Sequence, residues 1–193
     1  MITELTIFVS CFSRIIVHYY LTFHFSVFQE TTNAFGSVSN DLEARAATKI
    51  AEFFVIANGI QPNRLGIIAL YKSQASVIER LLNTDKTLSS VQVSTVDAFQ
   101  GAEKDVIILT VCRTDQLGFS VSPKRLNVAI TRAKRHLIVL GHPGLLKTNP
   151  LWREIIQPAY EMKNSGGIQN CSKIDSSSTL DIPEMRIDEG DWM

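Results

Sequence analysis

The chain has 193 residues, 45% of them hydrophobic and 20% charged. That is long enough for one buried core and too apolar for a disordered chain. Its three cysteines, Cys11, Cys112 and Cys171, are odd in number and widely spaced. They argue against a disulfide framework and a zinc site, and suit a reducing compartment. The formal net charge is zero, so attraction to an anionic partner can come only from a local concentration of charge. Residues 1–35 have no assigned role. Leu5 to Phe28 is long enough for a membrane span, but Arg14, His18 and His24 interrupt it. Glu4 precedes it and no small-residue cleavage site follows, so neither a signal peptide nor a span is expected. A strand followed by a packed helix fits the segment, and so does sequence foreign to the domain. A helix is expected to start at Asn40, with Asn40 and Glu43 forming a capping box and Gly59 ending it. Leu42, Ala46, Ile50 and Phe53 or Phe54 give it an apolar stripe. Leu65 to Leu70 reads as a strand, Ser73 to Leu82 as a helix and Val91 to Thr95 as a strand. Asp105 to Cys112 reads as a strand buried on both faces. Pro123 opens a helix expected over Lys124 to Lys134. His136 to Gly141 is a further strand, followed by a helix from about Leu145 with Trp152, Ile155 and Ile156 inward. After Pro158 the pattern ends, and residues 159–193 read as a flexible acidic tail.

Strands alternating with helices imply an α/β domain with a mainly parallel sheet. Such sheets carry their functional loops at the carboxyl ends of the strands, and the marked segments are expected there. Charge is divided along the chain. Lys124, Arg125, Arg132, Lys134, Arg135 and Lys147 lie between Ser122 and Lys147 with no acid among them. Six acids against the single Arg186 occupy Asp175 to Met193. A basic stretch of this kind attracts phosphate, or is simply a solvated helix face.

Two segments carry specific chemistry. The first is Val96-Asp97-Ala98-Phe99-Gln100-Gly101-Ala102-Glu103-Lys104-Asp105, and the second is Arg125-Leu126-Asn127-Val128-Ala129-Ile130-Thr131-Arg132-Ala133-Lys134. In this order they resemble the last two motifs of superfamily 1 helicases, in the group of the nonsense-mediated-decay helicase, senataxin and the helicases with GRF-type zinc fingers. A third segment, Ala69-Leu70-Tyr71-Lys72-Ser73-Gln74, is similar to a strand-end segment of that family in its Tyr and Gln but not in the Thr-Pro before them. Asn40-x-x-Glu43-Ala44 also resembles a family pattern, although capping alone accounts for it. The resemblance covers about Gly36 to Pro158 and implies the second RecA-like domain of a two-domain motor.

The resemblance implies roles for individual residues. Arg132 would act as an arginine finger, because a planar, permanently charged guanidinium can fork onto the oxygens of a γ-phosphate. Glu103 would accept hydrogen bonds from a ribose, on a turn that Gly101 permits. Gln100 would order the arginine or a water. Ser94 and Thr95 would contact a nucleic-acid phosphate, and Tyr71 and Gln74 would stack on a base and hold phosphate. For Tyr71, packing at a strand end is an equal alternative.

No G-x-x-x-x-G-K-[ST] loop, no upstream Asp-Glu pair and no Tyr-Arg-Met-His-Pro segment is present. ATP with Mg²⁺ would therefore be held mainly by a first motor domain absent from this chain. The expected partners are single-stranded DNA or RNA and that first RecA-like domain. The expected location is intracellular, nucleus or cytoplasm, with no secretion and no membrane. The resemblance implies an ATP-dependent helicase, and the isolated chain is not expected to turn over. A truncated, non-catalytic nucleic-acid-binding or regulatory module is the alternative.

Overall fold

The apolar run Val106 to Val111 is fully buried. In the computed structural model it forms most of the strand Lys104–Thr110 (β7) near the middle of a sheet. The structure describes residues 3–11, 18–25, 29–99, 101–118 and 122–164, with side chains from residue 29 to residue 157. The other strands of the sheet are Thr3–Cys11 (β1), His18–Phe25 (β2), Leu65–Ala69 (β5), Gln92–Thr95 (β6) and Ala133–Gly141 (β8). A small separate hairpin pairs Thr31–Thr32 (β3) with Val38–Ser39 (β4). The six-stranded sheet has the order β2-β1-β8-β7-β5-β6. Strands β6, β5, β7 and β8 are mutually parallel. This is the α/β, RecA-like architecture of the P-loop NTPase class.

Helices cover both faces, as a parallel sheet requires. Asp41–Glu52 (α1) and Lys72–Leu82 (α2) pack on one face, where Ile50, Phe54, Ile67, Ile78, Val106 and Ile138 form one core layer. Pro123–Ile130 (α3), the single turn Pro143–Leu146 (α4) and Pro150–Asn164 (α5) follow later in the chain. On the second face Ile107, Leu109, Leu126, Val139, Trp152 and Ile156 form the other layer. Val106 and Ile108 point one way and Ile107 and Leu109 the other. That is the period-2 alternation of a strand buried on both sides.

Several expectations are corrected. The segment His18–Phe25 is a strand rather than a helix, pairing antiparallel with β1, which in turn pairs antiparallel with β8. Its sequence, HYYLTFHF, is rich in aromatic residues that favour strands. The helix α3 stops at Ile130 and not at Lys134. Thr131 Oγ1 donates to the Asn127 and Val128 carbonyls, and the Lys104 N–H donates to the Arg132 carbonyl at 3.0 Å. That last bond draws the chain straight into β8. The capping box at α1 is only half formed. Asn40 accepts the Glu43 N–H at 3.0 Å, but the Asn40 N–H is taken by Gln74 Oε1 at 2.8 Å. Glu43 instead turns into the protein. The helix α5 runs on past Pro158 to Asn164, and the segment 165–193 lies outside the described residues.

Candidate functional site

Strand registers fix which residues share an end of the sheet. Ala69 is level with Thr95 on β6 and with Thr110 on β7. Ser94 and Thr95 therefore lie at the carboxyl end, beside the Tyr71–Gln74 segment that follows β5. Lys104, the first residue of β7, is paired with Ala133, the first residue of β8. Gly101, Glu103 and Arg132 consequently sit at the amino end. The sequence-based expectation that all the motifs cluster at carboxyl ends is thus corrected. The six steps from Lys104 to Thr110 correspond to about 20 Å.

The connection from Val96 to Glu103 crosses that distance over one face of the sheet. It starts as a turn, with the Phe99 N–H donating to Thr95 O at 2.9 Å. The Phe99 side chain is fully buried and lies directly over Gly66. A Cβ built on Gly66 would meet Phe99 Cζ at 2.5 Å and Lys104 Cγ at 3.0 Å. The close approach is therefore open only to glycine. Burying a phenylalanine is worth roughly 2–3 kcal/mol, which anchors the connection midway. Asp97 clamps its beginning to α3 through Arg125, Nη2 to Oδ2 at 2.9 Å and Nε to Oδ1 at 3.3 Å. Gly101, with φ +82, turns it at the far end. Gln100 lies outside the described residues.

At the amino end the charged groups interleave. Glu103 is half exposed and faces Lys134 Nζ at 3.8 Å. Asp105 is engaged by Arg64 and, at 3.9 Å, by Arg135 Nε. Arg132 is half-buried, folded back on its own helix, with Nε donating to Val128 O at 3.1 Å and Nη2 to Thr131 Oγ1 at 3.3 Å. Its Nη1 has no partner among the described residues. Glu103 and Arg132 each precede a residue of the Lys104–Ala133 pair, so the carboxylate and the guanidinium belong to neighbouring strands at the same end of the sheet. Among the described residues no three His, Cys, Asp or Glu side chains come together as a metal site.

The carboxyl end is arranged differently. Tyr71 is buried at 6% exposure, its hydroxyl donating to Leu117 O at 3.4 Å. The Arg113 guanidinium stands 5.6 Å above its ring, while Arg113 Nη2 pairs with Glu30 at 3.1 Å. Gln74 is fully buried and committed to the Asn40 N–H. In this conformation neither side chain can stack on a base or hold a phosphate. Ser94 and Thr95 are half-buried.

Residues that the sequence analysis passed over complete this end. Glu43 is fully buried, and its Oε1 accepts the Cys112 N–H at 2.8 Å. Cys112 holds φ +54, the left-handed region, which a residue with a Cβ occupies at a cost. Burial pushes the Glu43 carboxyl up to about 8, against lesser lowering by backbone N–H groups of Cys112 and Val111. Its Oε2 has no hydrogen-bond partner among the described residues. Burial likewise raises the Cys112 thiol, which removes it from thiolate chemistry. Burial lowers His136, with Arg135 adding to the effect and Asp105 opposing it. The Asn40-x-x-Glu43 spacing was the available signal for Glu43, and local capping explained it away.

Residues 11–144 match the family model described as AAA domain. The mouse protein "5'-3' DNA helicase ZGRF1" is 41% identical over 148 residues, covering 75% of this chain and 8% of that protein. "Regulator of nonsense transcripts 1" of Caenorhabditis elegans is 40% identical, covering 69% of this chain and 13% of that protein. "ATP-dependent helicase upf1" of Schizosaccharomyces pombe is 39% identical, covering 70% and 16%. The chain therefore spans only 8% to 16% of the length of these relatives. It belongs to the AAA domain family, in the group that these helicases represent.

Proposed function

We propose that this chain is the second RecA-like domain of an ATP-dependent superfamily 1 helicase motor. Its amino end, with Arg132 and Glu103, faces a nucleotide held by another domain. Its carboxyl end, with Ser94 and Thr95, faces a single strand of DNA or RNA. The observation that carries this reading is the crossing from Thr95 to Glu103. One connection, clamped by Asp97 to Arg125 and pinned by Phe99 over Gly66, joins the two ends. A displacement of Glu103 by nucleotide is thereby transmitted to Thr95 through packed groups rather than through a flexible loop.

Arg132 leaves its helix carbonyl to meet the charge that develops on the γ-phosphate during hydrolysis. The bonds it gives up are its own Val128 carbonyl and the neighbouring Thr131 hydroxyl, both short-range and easily replaced. Glu103 orients the sugar. Magnesium and phosphate cradling belong to the other domain, so the isolated chain does not turn over.

The test is steady-state ATPase activity of this chain joined to a first motor domain of one of its relatives. Arg132→Ala should lower kcat by about 10³-fold or more, with a much smaller change in KM. Arg132→Lys should not restore it, because an ammonium cannot fork. An unchanged kcat in Arg132→Ala removes Arg132 from the site.

A further inference from the structure

One surface of the carboxyl end is built but unused by the reading above. The turn Asn33 to Ser37, between β3 and β4, carries Phe35 at its tip with 93% of the residue exposed. The turn is tightly held. Asn33 Oδ1 accepts the N–H groups of Phe35 at 3.0 Å and Ser37 at 2.9 Å. The Ser37 carbonyl accepts the Asn33 N–H at 2.9 Å. The turn is also fastened to the first turn of α2. Asn33 Nδ2 donates to Ser73 Oγ at 2.8 Å, and the Ser73 N–H donates to Ser37 Oγ at 3.0 Å. The backbone that carries this bare aromatic ring is thus held before any binding, with little backbone freedom left to lose.

Between this turn and α2 runs an open groove of about 510 Å³. Phe35 forms one wall, and Lys72, Ser76 and Arg80 contribute from α2. These three positions are spaced four apart on one helix face and span about 12 Å. No Asp or Glu lines the groove. Neither Lys72 nor Arg80 has a carboxylate within ion-pair distance among the described residues. The α2 amino end opens beside the carboxyl end of β5, whose neighbour β6 carries Ser94 and Thr95 at the same level.

We propose that this groove is a single-strand subsite in which a base stacks on Phe35 while the adjoining phosphates lie along Lys72, Ser76 and Arg80. The proposal rests on the strand-facing reading of the carboxyl end and extends that surface outward from Thr95. An aromatic platform beside a row of cations is the arrangement that binds single strands without reading sequence. Acidic peptide shares the charge complementarity but has no use for a bare ring.

The experiment uses the full chain at low salt and labelled homopolymeric single strands, followed by fluorescence anisotropy. Phe35→Ala should weaken binding about tenfold, the loss of one base–aromatic stack. Phe35→Trp should restore it. The double change Lys72→Gln with Arg80→Gln should flatten the slope of log affinity against log salt by about 1.4, or roughly 0.7 per phosphate. All three residues are surface side chains, so folding is expected to survive and is checked by circular dichroism. Binding that ignores both changes overturns the groove while leaving Ser94 and Thr95 in place as strand contacts. No binding of any strand overturns both readings. Displacement of the label by polyglutamate as effectively as by unlabelled strand, with Phe35→Ala silent, identifies an acidic-peptide surface and overturns the proposal.

Discussion

Replacing Glu43 by glutamine should change the way stability depends on pH. The Glu43 carboxyl is fully buried beneath the loop after β7, with one oxygen on the Cys112 N–H and the other without a partner among the described residues. Burial raises its pKa from 4.5 to about 8. A group with a raised folded-state pKa binds its proton more tightly folded than unfolded. The unfolded chain ionises it above 4.5, whereas the folded protein keeps it neutral until about 8. Its contribution to stability is therefore complete below about pH 4.5 and is lost as pH rises toward 8. At 1.36 kcal/mol per pKa unit the full loss is roughly 5 kcal/mol, and about half of it falls between about pH 5 and pH 7. Glutamine can still accept the Cys112 N–H but has no proton to lose. It also leaves a buried amide donor, which should lower stability by about 1–3 kcal/mol at every pH. The informative quantity is thus the difference between the two proteins, not either value alone. Urea unfolding at several pH values from about 5 to 8, followed by circular dichroism, measures it. Glu43→Gln should gain on the native protein by about 2 kcal/mol or more as pH rises across this range. A difference that stays constant within about half a kcal/mol would mean that Glu43 is not held neutral, and the burial argument would fail.

Three further outcomes are expected. Gly66→Ala should cost about 1–3 kcal/mol of stability in the same assay, because its Cβ would drive into the buried Phe99 ring at 2.5 Å. A stability within error of the native protein would show that the crossing connection is not pinned there. Arg125→Ala should change stability by less than about 1 kcal/mol, since its pair with Asp97 is solvent-accessible on both sides. In the joined motor it should also lower kcat far less than Arg132→Ala, and an equal loss would show that the Asp97–Arg125 clamp matters to turnover as much as the Arg132 guanidinium does. Purified alone, the 193-residue chain should release no phosphate from ATP in the presence of single-stranded nucleic acid. Sustained turnover abolished by Arg132→Ala would contradict the assignment of phosphate and magnesium binding to another domain.

The architecture was readable in the sequence because periodicity is a local property. The apolar run Val106 to Val111, the stripe of α2 and the glycine that ends the first helical segment each follow from residue spacing alone. The motif residues were readable for a different reason: the segments Val96 to Asp105 and Arg125 to Lys134 are long and ordered enough to mark a family. What spacing could not give was position in three dimensions. Only the register of Lys104 against Ala133 places Glu103 and Arg132 at the opposite end of the sheet from Thr95. The end of α3 at Ile130 depends on a bond from Lys104, a residue distant in sequence. The same holds for Glu43, whose local role as a capping partner lost to a buried N–H from Cys112, 69 residues away. Tyr71 likewise read equally as a stacking platform or a packed strand end, and the closure of Leu117 and Arg113 over it decided for packing. Sequence spacing fixes what each segment prefers to be. Long-range hydrogen bonding and burial decide which of its polar groups still face a ligand.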